Sequence, residues 1–308
     1  MNNIQYPAAI AVGHLCADTI CSIDDYPKEN NSIHIQEVEY QSGGAASQAI
    51  VAFSRLGGKA GYVGVLGHDP AGEYVYSEII KEKVDTSFVQ WAEGDSAFSF
   101  VYVNINNASR TLFNYHERVP PININMKLED YISHAKYLHL DGTNYENALN
   151  TAVIAKKNKV LVSLDGSSMQ KDNFLNLKLA KMADILIMNE NYPCRLMEDE
   201  NRERALLEIA KFGARVVIST SGAKGCLLVK SGALIKFPAF QINPVDTTGA
   251  GDAFHGAFLR ALELGYDLHI SIRFASAVSA INCLSKGGRR GIPTFEETNK
   301  FIDQNNFS

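Results

Sequence analysis

The segment Val245–Phe258, VDTTGAGDAFHGAF, holds the residues whose types and spacing are best suited to chemistry. Two glycines in Thr248-Gly249-Ala250-Gly251-Asp252 permit a backbone in which successive N–H groups converge, and an apolar helical run begins directly afterwards. Unpaired N–H donors at the positive end of a helix dipole make an anion site. Asp252 falls in the first helical turn. Because Ala253, Phe254, Ala257, Phe258 and Leu259 make the helix apolar nearly all round, its start is expected to face an interior crevice. A carboxylate beside a phosphate cradle is the pair that phosphoryl transfer needs: an acceptor for a hydroxyl proton and fixed donors for developing charge. The dipole alone would contribute roughly 0.3 to 1 kcal/mol, whereas one well-aimed N–H in a water-excluded site contributes roughly 3 kcal/mol to the transition state. The simpler alternative is that Asp252 only caps its helix. The Asp246-Thr247-Thr248 lead-in weakens that alternative, as does the lack elsewhere of a GxxxxGK[ST] loop or a strand-linked GxGxxG to hold phosphates.

Such a site must be presented by regular elements. Ala8 to Val12 reads as a buried first strand, with a turn over Gly13 to Asp18. Ala45 to Leu56 is helix-like and stops at Gly57-Gly58, and an apolar strand follows over Ala60 to Leu66. From about Lys136 onward, apolar strands at Tyr137 to Leu140, Val160 to Leu164, Ile185 to Met188 and Val216 to Thr220 alternate with helices. That alternation implies a parallel sheet covered on both faces. Ligands in such sheets bind beyond the C-terminal strand ends, where Asp141, Asp165, Asn189 and Thr220 fall. Ile33 to Tyr40 and Phe98 to Asn114 alternate apolar and polar residues, as strands of a small one-faced sheet would. No linker or internal repeat divides the chain. Residues 1–308 therefore read as one α/β domain with lid strands at about 31–42 and 97–116.

Composition narrows the classes. The 308 residues carry a formal net charge of −5 without a dense Lys/Arg cluster, so a nucleic-acid partner is not expected. Cys16, Cys21, Cys194, Cys226 and Cys283 are an odd, scattered set without CxxC spacing, which argues against a disulfide framework or a zinc site. No segment reaches membrane-spanning length, and the apolar run at Ala8 lacks a basic leader. A soluble, cytoplasmic protein is expected.

Two segments resemble the signatures of PfkB (ribokinase-like) carbohydrate kinases. Val245–Phe258 is similar to the family's C-terminal signature. Gly43-Gly44 with the following helix, Arg55-Leu56-Gly57, the next strand and Gly67-His68-Asp69-Pro70-Ala71-Gly72 is similar to the N-terminal one. The match runs in the right order over most of the chain. It implies a doubly wound, mostly parallel α/β sheet with a small inserted β-sheet lid. Asp252 then corresponds to the catalytic base, and the N–H groups of Gly249, Ala250, Gly251 and Asp252 to the donors that hold the transferring phosphoryl group.

The same resemblance assigns further positions. Asp18 and Asp141 match acidic substrate contacts. Gly43 and Gly44 allow close approach of a sugar or act as a hinge, and Gln48 stands where many relatives carry a substrate-binding Asn. Asn189 and Glu190 resemble an Asn-x-x-Glu element near magnesium and phosphate, although Tyr192 replaces the Glu; Glu190 would reach magnesium through water. Thr220, Gly222 and Gly225 match the nucleotide-binding turn. Asp246, Thr248, Asn282, Ser285, Gly287 and Gly291 match a monovalent-cation site built mainly of backbone, implying potassium. Asp165 reads either as a metal-water ligand or as a cap, and His255, one turn into an apolar helix, as a satisfied core histidine.

The expected function is transfer of the ATP γ-phosphate to the hydroxymethyl group of a small sugar, a ketose or pentose such as fructose or ribose, with ATP, Mg2+ and K+ as cofactors. A nucleoside kinase of the adenosine type is the alternative enzyme, left open by Tyr40, Phe98 and Tyr102 as a base slot. A catalytically silent sugar-binding regulator is the alternative from another class. By family analogy, the lid strand Ile33 to Tyr40 would be the seam of a homodimer.

Overall fold

The computed structural model describes residues 6–107 and 109–305. The first half runs β1 (Ala9–Val12), β2 (Cys16–Ile23), β3 (Glu37–Gly43), α1 (Ala45–Arg55), β4 (Ala60–Gly67), α2 (Pro70–Lys81), β5 (Asp85–Ala92), β6 (Phe98–Asn104) and β7 (Arg110–Tyr115). Next come α3 (Met126–Ser133), β8 (Tyr137–Leu140), α4 (Tyr145–Lys157), β9 (Leu161–Gly166), α5 (Asn173–Ala180), β10 (Ile185–Met188), α6 (Tyr192–Met197) and α7 (Arg202–Ala210). The chain closes with β11 (Val216–Thr220), β12 (Cys226–Lys230), β13 (Ala233–Phe237), α8 (Ala250–Glu263), α9 (Leu268–Asn282) and α10 (Phe295–Gln304).

Nine strands form the main sheet in the order β13-β12-β11-β10-β9-β8-β1-β4-β5. All neighbours from β11 to β5 pair in parallel, and β12 and β13 add an antiparallel edge. Helices cover both faces. Phe53 on α1, Phe258 on α8 and Phe274 on α9 anchor one apolar layer, while Leu128 and Tyr131 on α3 and Leu206 on α7 anchor the other. The chain leaves β1 for β4 on one side and later returns to β8 on the other, which makes the C-terminal end of β1 a topological switch point, the usual place for a ligand crevice.

The lid is a separate four-stranded sheet, β3-β2-β6-β7. Its central pair β2–β6 is parallel, and the outer pairs are antiparallel. Only the first half of the turn expected over Gly13 to Asp18 is irregular: Cys16 already starts β2. Asp18 therefore sits on a strand rather than in a loop. The short polar side chains of CADTICSI hide the alternation that would mark it, and pairing on both sides supplies what the local pattern lacks. The edge strand starts at Glu37, not at residue 31, and β9 continues through Asp165 to Gly166.

Helix starts follow a rule with one exception. Asp69, Asn125, Asn144, Asp172, Asn201, Asp267 and Thr294 each accept a hydrogen bond from the first turn of their own helix, satisfying donors that the helix cannot. In α6 the Asn189 side-chain Oδ1 takes the Tyr192 N–H, and in α1 Asp141 takes the Ala46 N–H from across the sheet. Helix α8 begins on Gly249 in the left-handed region (φ 70°) with no side-chain cap. It is held in place from behind: a Cβ at Gly256 would lie 1.9 Å from the Ala49 carbonyl oxygen, so α8 and α1 pack backbone to backbone there.

Candidate active site

The open start of α8 is the centre of the crevice. Its first i to i−4 bond runs from Ala253 N to the Gly249 carbonyl at 2.8 Å, which leaves the Gly251 and Asp252 N–H groups without an acceptor among the described residues. Ala250 N–H is engaged in a 3.3 Å turn bond to the Thr247 carbonyl. The two glycines serve different ends. A Cβ at Gly249 would stand 2.4 Å from the Gly288 carbonyl oxygen, whereas one at Gly251 would meet nothing within 4 Å. The bareness of Gly249 is thus imposed by the protein's own packing. That of Gly251 leaves space for something else to approach the N–H groups.

Asp252 occupies the third helical position and makes no hydrogen bond among the described residues, so it is not a cap. It is half-buried at the crevice wall. Its carboxyl is pushed up to about 7, chiefly by burial and then by the negative charge of Asp165, with His255 opposing and Asp141 adding a smaller push. A carboxylate with a proton affinity near neutrality and no protein donor on its oxygens is a competent general base.

Beside the start of α8 lies a cavity of about 220 Å3 lined by Thr220, Gly222 and Gly225 together with Phe240, Ile242, Phe254 and Ala280. It runs from Ala250 and Gly251 to the turn after β11, and its apolar walls suit a flat heterocycle with phosphates directed at α8. The predicted turn residues are there; the apolar wall was not foreseen, because it comes from the chain between β13 and α8 and from α9. Asn189 is at the end of β10, with its Oδ1 spent on the N–H groups of Asn191 and Tyr192. Glu190 Oε1 stands 3.5 Å from both Arg202 and Lys224.

On the opposite side, one row of the lid faces the crevice. Register pairs Gln41 with Asp18, Asp18 with Ser99 and Ser99 with Asn114, so four polar side chains cross the sheet in line. Ser99 Oγ and Cys16 Sγ both donate to Asp18 Oδ1. Gly43 is bare because a Cβ would fall 2.0 Å from Asp18 Oδ2, and Gly44 (φ 101°) because one would meet the His14 carbonyl at 2.2 Å. Their glycines are thus required by neighbouring protein atoms. From the same face of β7, Arg110 reaches the Thr248 hydroxyl. His14 and Glu117, which the sequence reading passed over, add a 3.9 Å pair with His14 Nδ1 and Glu117 Oε2 otherwise unpartnered.

Two expected sugar contacts take other roles. Asp141 is fully buried and accepts from His14 N at 2.7 Å, Ala46 N at 3.1 Å and Thr143 N at 2.9 Å. Its oxygens are occupied in fastening β1, α1 and β8 together. Gln48, 4% exposed, accepts from Arg289 Nε at 3.0 Å and so anchors the C-terminal tail. Asp165 caps no helix, since Asp172 caps α5; it pairs instead with His255 Nε2 at 3.3 Å.

The predicted cation-site residues converge. Asp246 accepts from Thr248 N and Oγ1 and from Gly287 N at 2.8 Å, and Asn282 donates to the Thr248 and Gly288 carbonyls. Ser285 N bonds back to Asn282 O at 3.3 Å, and a Cβ at Gly291 would lie 2.5 Å from that same oxygen. Asn282 Oδ1 is buried with no partner.

Against this geometry, residues 8–295 match the pfkB family of carbohydrate kinases. The chain belongs to that family. It is 26% identical to the ribokinase of Haemophilus influenzae, covering 95% of this chain and 97% of that one. It is also 28% identical to a nucleoside kinase of Methanothermobacter thermautotrophicus, with 96% of each covered. The structure of Arabidopsis thaliana ribokinase complexed with ribose and ATP superposes with a TM-score of 0.86 at 23% identity, over 96% of this chain and 99% of that one. This pfkB-family protein is therefore a kinase acting on an alcohol group, built on the ribokinase-like fold.

Two substitutions separate the parts of the site. Gly251→Ala, at a position with open space, should leave thermal stability unchanged or slightly raised, since Ala favours a helix by up to about 1 kcal/mol, while kcat/KM falls at least about tenfold. Asp252→Asn should reduce kcat at least about a hundredfold. It should also unfold at a higher temperature than the wild type at pH 8. The folded carboxyl holds its proton more tightly than an unfolded one, so wild-type stability declines as pH rises from about 4 to about 7 and then levels off. The advantage of the Asn variant grows over that window and vanishes below it. Normal turnover in either variant would remove that residue from the mechanism.

Proposed function

We propose that this protein transfers the γ-phosphate of ATP to a hydroxymethyl group of a small polyhydroxylated sugar, a ketose or pentose. The observation that carries the reading is the uncapped start of α8, with free N–H groups and an unbonded carboxylate on the same turn. The sugar hydroxyl oxygen attacks the γ-phosphorus, its proton passes to Asp252, and the bond to the β-phosphate oxygen breaks to release ADP. The N–H groups of Gly251 and Asp252 meet the charge on the transferring group, with that of Gly249 beside them and Ala250 available once its long turn bond yields. The adenine would lie along the Phe240–Ala280 wall, and Asn189 would offer its remaining amide N–H groups to phosphate.

Magnesium, held near Glu190, would supply positive charge to offset that of the phosphates. Glu190 fits as a partner for its water shell, since its second oxygen has no protein partner. For the sugar, Asp18 is the leading contact, with Ser99, Gln41 and Asn114 along the same row. Polar groups of this row that lose a hydroxyl partner on closure stay desolvated, at roughly 1 to 3 kcal/mol per contact.

A polyhydroxylated sugar should accordingly be preferred over adenosine by at least about a hundredfold in kcat/KM if two such contacts are made. Asp18→Ala should erase most of that preference and leave the KM for ATP nearly unchanged. ADP release measured across ribose, fructose, other ketoses and adenosine tests this; adenosine as the fastest substrate would replace the sugar reading with the nucleoside one.

The cluster of Asp246, Thr248, Asn282, Ser285, Gly287 and Gly291 supports a monovalent-cation site, because a buried carbonyl oxygen without a donor, Asn282 Oδ1, is what a potassium ion would complement. Potassium should raise kcat over sodium at fixed ionic strength; a flat KCl titration would count against it.

Finally, the lid face turned away from the crevice carries Tyr40, Phe100 and Phe113, paired in one row through Thr19 and 69%, 41% and 57% exposed. A row of this kind supports a second copy of the chain as its cover. Light scattering should give a dimer that Tyr40→Asp with Phe113→Asp converts to monomer; a monomeric wild type would refute it.

A further inference from the structure

Behind the base lie three buried side chains that phosphoryl transfer as described does not use. Asp165 in β9, His139 in β8 and His255 in α8 are each at most 4% exposed. His255 Nε2 is 3.3 Å from Asp165 Oδ1, and His139 Nδ1 is 3.2 Å from Ser163 Oγ. The two imidazoles stand 5.2 Å apart, centroid to centroid, and His255 Nδ1 and His139 Nε2 have no hydrogen-bond partner among the described residues. His255 follows Asp252 by three positions in the same helix, the spacing that puts two side chains on one face.

We propose that His255, paired with Asp165 and one turn along α8 from Asp252, is a positioning residue that keeps Asp252 ready to accept a proton. This rests on the reading of Asp252 as the base. Three carboxylates face this region: Asp252 from α8, Asp165 from β9 and Asp141 from the end of β8. Like charges buried together drive one another to take up protons, and a protonated Asp252 cannot act as a base. A cation must offset them. His139 cannot supply it, because burial first and His255 second hold it down to about 3. His255 can: burial disfavours its charge, but Asp165, Asp252 and Asp141 together outweigh that and raise its proton affinity. In return Asp165 stays below the ordinary carboxylate range, despite burial, through its contact with His255. Of the three charged side chains that act on Asp252, His255 favours its ionised form while Asp165 and Asp141 oppose it.

The pH profile distinguishes this from a merely structural pair. In His255→Gln, which keeps an amide toward Asp165 but no charge, the acid limb of kcat/KM should move to higher pH by about one unit. Activity at pH 6 should fall at least about tenfold, while at pH 9 kcat and the KM for ATP stay within about twofold of wild type. An unmoved limb, or an equal loss at every pH, would overturn the proposal. If the variant does not fold, histidine 15N NMR decides on folded proteins. In the wild type the His255 ring should remain protonated above the ordinary histidine range, and in Asp252→Asn it should lose its proton at lower pH, since coupling between two sites is reciprocal. Identical His255 titrations in the two proteins would overturn it. Turnover retained by Asp252→Asn would instead sink the reading of Asp252 as the base, whatever the NMR shows.

Discussion

One uncapped helix end governs the arrangement of this kinase. Every other α-helix of the described residues finds a side-chain acceptor for its first turn, from its own sequence or, in α1, from Asp141 across the sheet. Helix α8 has none, and each polar group left unmatched away from water would cost roughly 1 to 3 kcal/mol. What offsets that is packing behind it. Gly256 lets α8 lie against the α1 backbone, α9 covers its other flank, and Ser279 Oγ bonds the Ala250 carbonyl at 2.9 Å. The N–H groups are thus held rigid and open before any ligand arrives, which is the condition under which such donors act most strongly on a transition state.

A second constraint follows from where that helix points. An anion site that faces an interior crevice places its carboxylate among others, and the protein deals with each differently. Asp141 is saturated by three backbone donors and becomes a clamp between β1, α1 and β8. Asp165 is matched by an imidazole. Asp252 alone keeps its oxygens free of hydrogen bonds, at the expense of stability, and this exposes it to substrate. The site is in this sense a stability defect confined to one turn.

The lid meets the same crevice from the other side through contacts that are individually weak. Glu37 and Glu39 on β3 face Lys286 and Arg290 at 3.8 and 3.0 Å, and Arg110 reaches Thr248. Exposed ion pairs of this kind contribute about 1 kcal/mol or less. They leave the small sheet only weakly fastened to the core along this edge. The segment carrying Gly287 and Gly288 touches the lid, Gln48 and the Asp246 loop together, so lid, Asp246 loop and helix start share one strap.

The sequence by itself determined the elements and the chemistry of the α8 turn. Apolar runs of four to eight residues between turn signals mark buried strands whatever surrounds them, and a Gly-x-Gly-Asp before an apolar helix has few local readings. The Gly249–Asp252 turn and the parallel α/β plan were legible for that reason, whereas the turn after β11 and the Asp246–Gly287 cluster stood out only through resemblance to a family. What tertiary structure decided was which polar atoms remain free. Asp18 and Asp141 are both carboxylates near strand ends, and nothing in their neighbours along the chain tells that Asp141 is consumed by N–H groups from three elements while Asp18 faces the crevice. The polar row Gln41–Asp18–Ser99–Asn114 exists only through strand register, a property of pairing between distant segments. His255 looked like a core residue because its counter-charge, Asp165, lies far away in the chain; burial of both made them a pair. Local pattern sets backbone conformation, whereas the availability of a donor or a charge depends on every group that folding brings against it.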